Sequence, residues 1–193
     1  MNNSKLKIDE FFDKYIIDIE HSQEVAKYCQ MISNALTTAN ICSYNDRELS
    51  YLQTAALLHD IGYNVEKKAH HKHSLDIILK EGIDGYTDEE ILIIGNIARY
   101  HRNSFPDVHS HKMFAMLDEK KQSLVSELSA ILRLADGLDK PHKNLILRLR
   151  AESEKSLKFY IKTIGYKPSL KAAENKKDLL EKVLNKQISF IFE

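Results

Sequence analysis

The chain has 193 residues, 43% of them apolar, and its 28 Lys/Arg are balanced by 28 Asp/Glu. That apolar share is ample for a core and excludes a disordered chain, while zero formal net charge argues against a protein that is basic overall. Six glycines and three prolines suggest a helical body, and the length allows one domain or one domain with a small appendage.

In chain order, residues 5 to 19 carry Phe12, Tyr15 or Ile16, and Ile19 at helical spacing. His21 heads the next apolar face, which runs through Val25, Tyr28, Cys29, Ile32 and Leu36 to about Thr38. Asn45 or Asp46 can cap a helix whose inward positions Leu49, Leu52 and Ala56 lead to His59, with Asp60 about 100° further round. Gly62 stops it. Residues 63 to 72 read as a polar loop, with His70 and His71 on its solvent side, and His73 falls in the first turn of a helix stopped at Gly82. Thr87 and Glu90 form a capping box for a helix whose face runs Ile91, Ile94, Ala98, His101. After a loop over 102 to 112, a helix from about Ser123 to Leu138 turns Leu128, Leu132 and Asp136 inward, and Gly137 and Pro141 mark its end.

Beyond Pro141 the period changes from helical to alternating. Leu145, Leu147 and Leu149 alternate with Arg148 and Arg150, and Leu157, Phe159 and Ile161 alternate with Lys158, Tyr160 and Lys162, which predicts a hairpin. An amphipathic helix over 169–185, with Ala173, Leu180 and Leu184 inward, and a strand with Ile188, Phe190 and Phe192 follow. The expected fold is mostly α: a helical bundle over 1–142 with a small ββαβ appendage over 143–193. That appendage is basic, with twelve Lys/Arg against six Asp/Glu, but its cations are spread over strands and helix. A solvated face or subunit contact therefore outweighs a nucleic-acid surface, and homodimerisation stays open.

The inward polar residues form an ordered set: His21, His59, Asp60, His73, His101 and Asp136. A lone histidine on an apolar face is usually a hydrogen-bonded core residue, so the case rests on the set. Four imidazoles and two carboxylates suit divalent transition metals (Mn, Fe, Co, Ni or Zn) better than Ca²⁺ or Mg²⁺. Six ligands exceed the needs of one open catalytic ion, so two ions are expected. One takes His21, His59, Asp60 and Asp136; the other takes His73, His101 and the second oxygen of Asp60, the bridge. Two such ions activate water and clamp a phosphoryl oxygen.

The order His21, His59-Asp60, Asp136 resembles the HD superfamily of metal-dependent phosphohydrolases, and His73 and His101 resemble the extra ligands of its dinuclear members. Leu57–Gly62, His70–Ser74, Ile97–Ser104 (Ile-Ala-Arg-Tyr-His-Arg-Asn-Ser) and Ala130–His142 (Ala-Ile-Leu-Arg-Leu-Ala-Asp-Gly-Leu-Asp-Lys-Pro-His) are similar to the C-terminal HD region of the exopolyphosphatase/guanosine pentaphosphatase (Ppx/GppA) family. That resemblance implies an HD-domain bundle and this ligand set. It does not carry exopolyphosphatase activity, because the family's actin-like domains and glycine-rich phosphate loop have no counterpart here.

Arg102, Lys140 and Lys143 sit near helix ends beside ligands and are the candidates for binding substrate phosphate; Arg133 reads equally as half of an internal ion pair. Asp139, three after Asp136, either orients a ligand or transfers a proton to the leaving group, or simply pairs with Lys140 or Lys143. His142 is an ambiguous further candidate. Asp60, Arg102, Asp139 and Lys143 are thus the expected catalytic group.

The expectation is a metal-dependent phosphohydrolase acting on a small phosphorylated substrate such as a nucleotide. The alternative is a non-catalytic module that binds a phosphorylated nucleotide in a regulatory role. Cys29 and Cys42, thirteen apart, match neither a zinc knuckle nor a disulfide framework. With no signal-like start and no apolar run long enough for a bilayer, a cytoplasmic protein with no membrane partner is expected.

Overall fold

A computed structural model describes residues 5–15, 18–140 and 145–193. Seven helices precede the sheet: α1 (Ile8–Tyr15), α2 (Ile19–Thr38), α3 (Asp46–Leu58), α4 (His70–Glu81), α5 (Asp88–Arg99), the single turn α6 (Lys112–Ala115) and α7 (Glu119–Leu138). They are followed by β1 (Ile146–Ser153), β2 (Leu157–Thr163), α8 (Lys171–Lys176), α9 (Asp178–Leu184) and β3 (Ile188–Phe192). The body is a mostly α bundle with a small C-terminal appendage.

Local chemistry sets the helix starts. Asp18, Asn45, Thr87 and Asp118 each accept a hydrogen bond from a first-turn backbone N–H, and Asn45–Glu48 and Thr87–Glu90 close full capping boxes. Asn45 is therefore the cap of α3, and Asp118 starts α7 four residues earlier than its apolar pattern suggests. α2, α3, α5 and α7 pack on one another, with Val25, Ile32, Leu52, Leu58, Ile94, Ile97, Leu128 and Leu132 fully buried between them. Each such side chain contributes roughly 1.5–3 kcal/mol relative to exposure. That apolar frame holds polar groups at its rim in fixed positions.

Two expectations are corrected in the appendage. The strand pattern puts Leu145, Leu147 and Leu149 on one face, but a register shift between Ile146 and Arg148 buries Ile146 and Leu149 and leaves Leu147 half exposed. The single helix over 169–185 is two short helices, α8 and α9, joined at Lys177, and Leu184 is only half-buried. The sheet order is β1-β2-β3; β1 and β2 are antiparallel, β2 and β3 parallel, and α8–α9 supplies the crossover. Both helices pack on α7 and β1 packs on α2, so the appendage rests on the two helices that carry His21 and Asp136. Among the described residues no helix is long and apolar enough to cross a membrane.

Candidate metal centre

Five elements deliver the site. His21 comes from the first turn of α2, His59 and Asp60 from the end of α3, His70 from the first residue of α4, His101 from just beyond α5, and Asp136 from the last turn of α7. His59 and His101 are essentially inaccessible, and His21, His70 and Asp136 are buried.

The imidazoles share one arrangement. Nδ1 of His59 donates to the Ala56 carbonyl at 2.7 Å, Nδ1 of His70 to the Lys67 carbonyl at 2.8 Å, and Nδ1 of His101 to the Ala98 carbonyl at 2.7 Å. A carbonyl can only accept, so each Nδ1 carries the proton and each Nε2 keeps a bare lone pair. His21 is held the same way by Asp139 Oδ2, 2.6 Å from its Nδ1.

All four Nε2 atoms turn toward the acids. Asp60 Oδ2 lies 3.5 Å from His59 Nε2 and 3.8 Å from His21 Nε2; its Oδ1 lies 3.1 Å from His70 Nε2 and 3.6 Å from His101 Nε2. Asp136 Oδ1 is 3.6 Å from His21 Nε2. Two triads, His21–His59–Asp136 and His59–Asp60–His101, each have ligand atoms within 4.8 Å of one another.

Lone pairs facing lone pairs do not bind each other. Nε2 of His70 and His101 stand 3.0 Å apart, both bare in this tautomer. His59 Nε2 and Asp60 Oδ1 are buried without a hydrogen-bond partner among the described residues. Each such orphan costs about 1–3 kcal/mol, a large fraction of a typical net stability of about 5–15 kcal/mol. Cations between these atoms remove that cost. The donor set therefore fits divalent metals, and the two clusters together form a site for two of them.

Electrostatics agree. Burial alone would raise the Asp60 carboxyl, but protonated His59, His70 and His101 rings hold it well below its usual range, the place a divalent cation takes when those rings are neutral ligands. Asp136 likewise overcomes burial and is drawn down to about 2, chiefly by the Lys176 ammonium. Burial and then His59 push the His101 imidazole well below its usual value, keeping it neutral as a ligand must be. Burial would lower His21 too, but the hydrogen bond with Asp139 and the charges of Asp136 and Asp60 outweigh it and raise that imidazole.

The structure departs from expectation at α4. His73 does not join the others: its ring lies 3.6 Å from Glu66 and 3.9 Å from Asp76, partly exposed. His70 faces Asp60 and His101 instead, and His70 and His71 are buried rather than on a solvent-side loop. The reason is that α4 begins at His70, three residues before the expected start. Its buried face is His70, His71, Ser74, Leu75, Ile77 and Ile78. Stepping back from Ile78 by four, seven and eight reaches Ser74, His71 and His70, whereas His73, five before Ile78, lies off that face.

Gly62 makes the join between α3 and α4 close. A Cβ there would stand 2.2 Å from the His70 carbonyl oxygen and 2.6 Å from the Ser74 nitrogen. Without it, Gly62 N–H donates to Ser74 Oγ at 3.0 Å, and Ser74 Oγ donates to the His59 carbonyl at 2.7 Å.

In front of the acids lies a cleft of about 310 Å³ bordered by Tyr63, Asn64, Arg102, Lys140 and Lys176 as well as ligands. That volume suits part of a small molecule. Arg102 and Lys140 thus stand at the opening. Arg133 is committed elsewhere, to Asp178 at 2.7 Å and the Asn103 carbonyl at 3.0 Å. Asp139 is buried behind His21 and is not among the residues that border the cleft. Pro141, His142 and Lys143 lie outside the described residues. Lys176 is new: its Nζ pairs with Asp136 Oδ2, and only its place in the fold reveals it. A larger groove of about 540 Å³, lined by Arg47, Tyr51 and Glu90, gathers no such set of ligand atoms.

Comparison with known proteins agrees with this chemistry. The family described as Ppx/GppA phosphatase, domain III, matches residues 5–182. A guanosine-5'-triphosphate,3'-diphosphate pyrophosphatase of Pseudoalteromonas translucida is 31% identical over 110 residues, 53% of this chain and 21% of that protein. Proteins of the same name from Pseudoalteromonas atlantica and Vibrio campbellii are 26% and 28% identical, covering 72% and 51% of this chain and 27% and 20% of their own lengths. The chain thus spans about a fifth to a quarter of the curated relatives it matches.

Proposed function

Because the chain belongs to the Ppx/GppA phosphatase, domain III, family, we propose that its His/Asp centre is that of a metal-dependent phosphohydrolase cutting a phosphate ester or anhydride. The observation that carries this reading is the common arrangement of the imidazoles, each with Nδ1 tied back and Nε2 bare toward the same two acids.

We assign the bundle over 1–142 to the HD superfamily and treat 143–193 as a smaller unit packed on it. Asp60 would serve both ions, because its two oxygens face different pairs of histidines. His21, His59 and Asp136 would hold one divalent ion with Asp60 Oδ2; His70, in the role expected of His73, and His101 would hold the other with Oδ1. Bound there, two divalent ions lower the pKa of coordinated water toward neutrality and offset charge on a phosphoryl group.

The protein's own groups do the rest. The carbonyls of Ala56, Lys67 and Ala98 fix the imidazole tautomers. Asp139 orients His21 from behind and strengthens it as a donor. Arg102 and Lys140 at the opening, with Lys143 beyond the described residues, neutralise and position phosphate oxygens. The cleft admits one phosphoryl group and part of what it is attached to. A nucleotide is the favoured substrate, and guanosine 5'-triphosphate 3'-diphosphate is the first to try, since the relatives are named for it. The reading places the protein in the cytoplasm and needs neither nucleic acid nor a second subunit.

Elemental analysis of untreated protein, with turnover of a nucleotide panel under added Mn²⁺, Fe²⁺, Co²⁺ or Ni²⁺, tests it. A His59→Ala/Asp60→Ala variant is expected to lose bound metal and turnover together. Full turnover by a metal-free double variant overturns the reading.

A further inference from the structure

Lys176, the last residue of α8, stands in the same cleft as His21, Asp60 and Asp136, and its Nζ is paired with Asp136 Oδ2. Two contacts make this placement a property of the fold. α8 approaches α7 so closely at Gly137 that a Cβ there would stand 2.9 Å from Ala173 Cα and 3.1 Å from the Ala172 carbonyl oxygen. Two residues beyond Lys176, Asp178 is clamped by the buried guanidinium of Arg133 at 2.7 Å. Between a backbone-tight contact on one side and an ion pair on the other, Lys176 borders the cleft.

An ammonium and a divalent cation repel each other at van der Waals range, so both cannot crowd the Asp136 carboxylate. The lysine has a flexible four-carbon stem and a point charge that can re-aim. Arg102 and Lys140 already border the space in front of it. Three cations around one small cleft favour an anion with several oxygens.

We propose that Lys176 is a substrate-binding residue: its ammonium competes with a divalent ion for the Asp136 carboxylate and turns to a phosphoryl oxygen when an ion binds there. The C-terminal unit is then part of the binding site, and loading of metal prepares the phosphate subsite. This inference rests on the metal-centre reading above.

The test uses the metal-stripped 193-residue chain and two probes, Mn²⁺ alone and then inorganic phosphate added to the Mn²⁺-loaded protein, both followed calorimetrically. Lys176→Met keeps the length and apolar stem and removes the charge; Lys176→Gln is a second neutral variant, and Lys176→Arg retains a cation. The neutral variants are expected to bind Mn²⁺ more tightly, on the order of tenfold, and phosphate more weakly by a similar factor, as for loss of one close charge partner. Lys176→Arg is expected to recover most of the phosphate affinity. If either affinity is unchanged in both neutral variants, the inference is overturned. A wild-type chain that takes up no Mn²⁺ sinks the metal-centre reading itself, and that failure is visible before any variant is made.

Discussion

Asp139 shows how much a residue can matter without touching a substrate. It is 2% exposed and stands on the far side of His21, where its 2.6 Å hydrogen bond decides which nitrogen of that ring faces Asp60 and Asp136. Replacing it with Asn preserves the shape and a hydrogen-bond acceptor but removes the charge that makes the imidazole a strong donor. Partners of this kind typically alter metal affinity or activity by about 10–100-fold. Asp139→Asn is therefore expected to weaken Mn²⁺ binding by that order while leaving the far-ultraviolet circular dichroism unchanged; undiminished Mn²⁺ affinity would make the contact merely structural. His21, His59, His101 and Asp136 were all legible in the sequence as polar residues that continue apolar faces. Lys176 falls three after Ala173 and four before Leu180, on the inward side of the expected helix, but a lone lysine there reads as an ordinary solvated charge, and its partner is 40 positions away.

Among the elements, α4 and α8 carry the lessons. α4 was recognised from Leu75, Ile78 and Gly82, but its start depends on the packing of Gly62 against His70 and Ser74, a tertiary contact with no signature in the local spacing. His70 and His73, three residues apart, differ by only about 60° round the helix, so placing the helix start decides between them. The bulge in β1 has the same origin: alternation predicts the strand, but not the point where register slips. For α8, Gly137 is the critical neighbour. A methyl group there meets backbone atoms of Ala172 and Ala173 rather than a flexible side chain, so the helices must part. Gly137→Ala is expected to destabilise the protein by about 1–3 kcal/mol, the usual cost of overpacking, measured as a lower urea midpoint. A neutral or stabilising result would mean that α8 is not seated as described.

The whole molecule balances an apolar frame against a polar centre, and acid should expose that balance. Burial and then the charge of His70, followed by Arg102 and Arg99, lower the His71 imidazole from 6.5 to about 4. Between those values the unfolded chain takes up a proton that the folded chain refuses. Stability in the metal-free protein is therefore complete above pH 6.5 and declines as the pH falls toward 4, by up to on the order of 3 kcal/mol from this group. Chemical unfolding at stepped pH measures the slope, and His71→Asn is expected to flatten it; an identical slope in the variant would assign the acid sensitivity elsewhere. The parallel pairing of β2 with β3 has a consequence for biosynthesis. Residues 188–192 must leave the ribosome before the crossover carrying α8 can be sewn into the sheet. Every proposed metal ligand, from His21 to Asp136, emerges earlier. The whole ligand set is thus synthesised before the residue that shares its cleft.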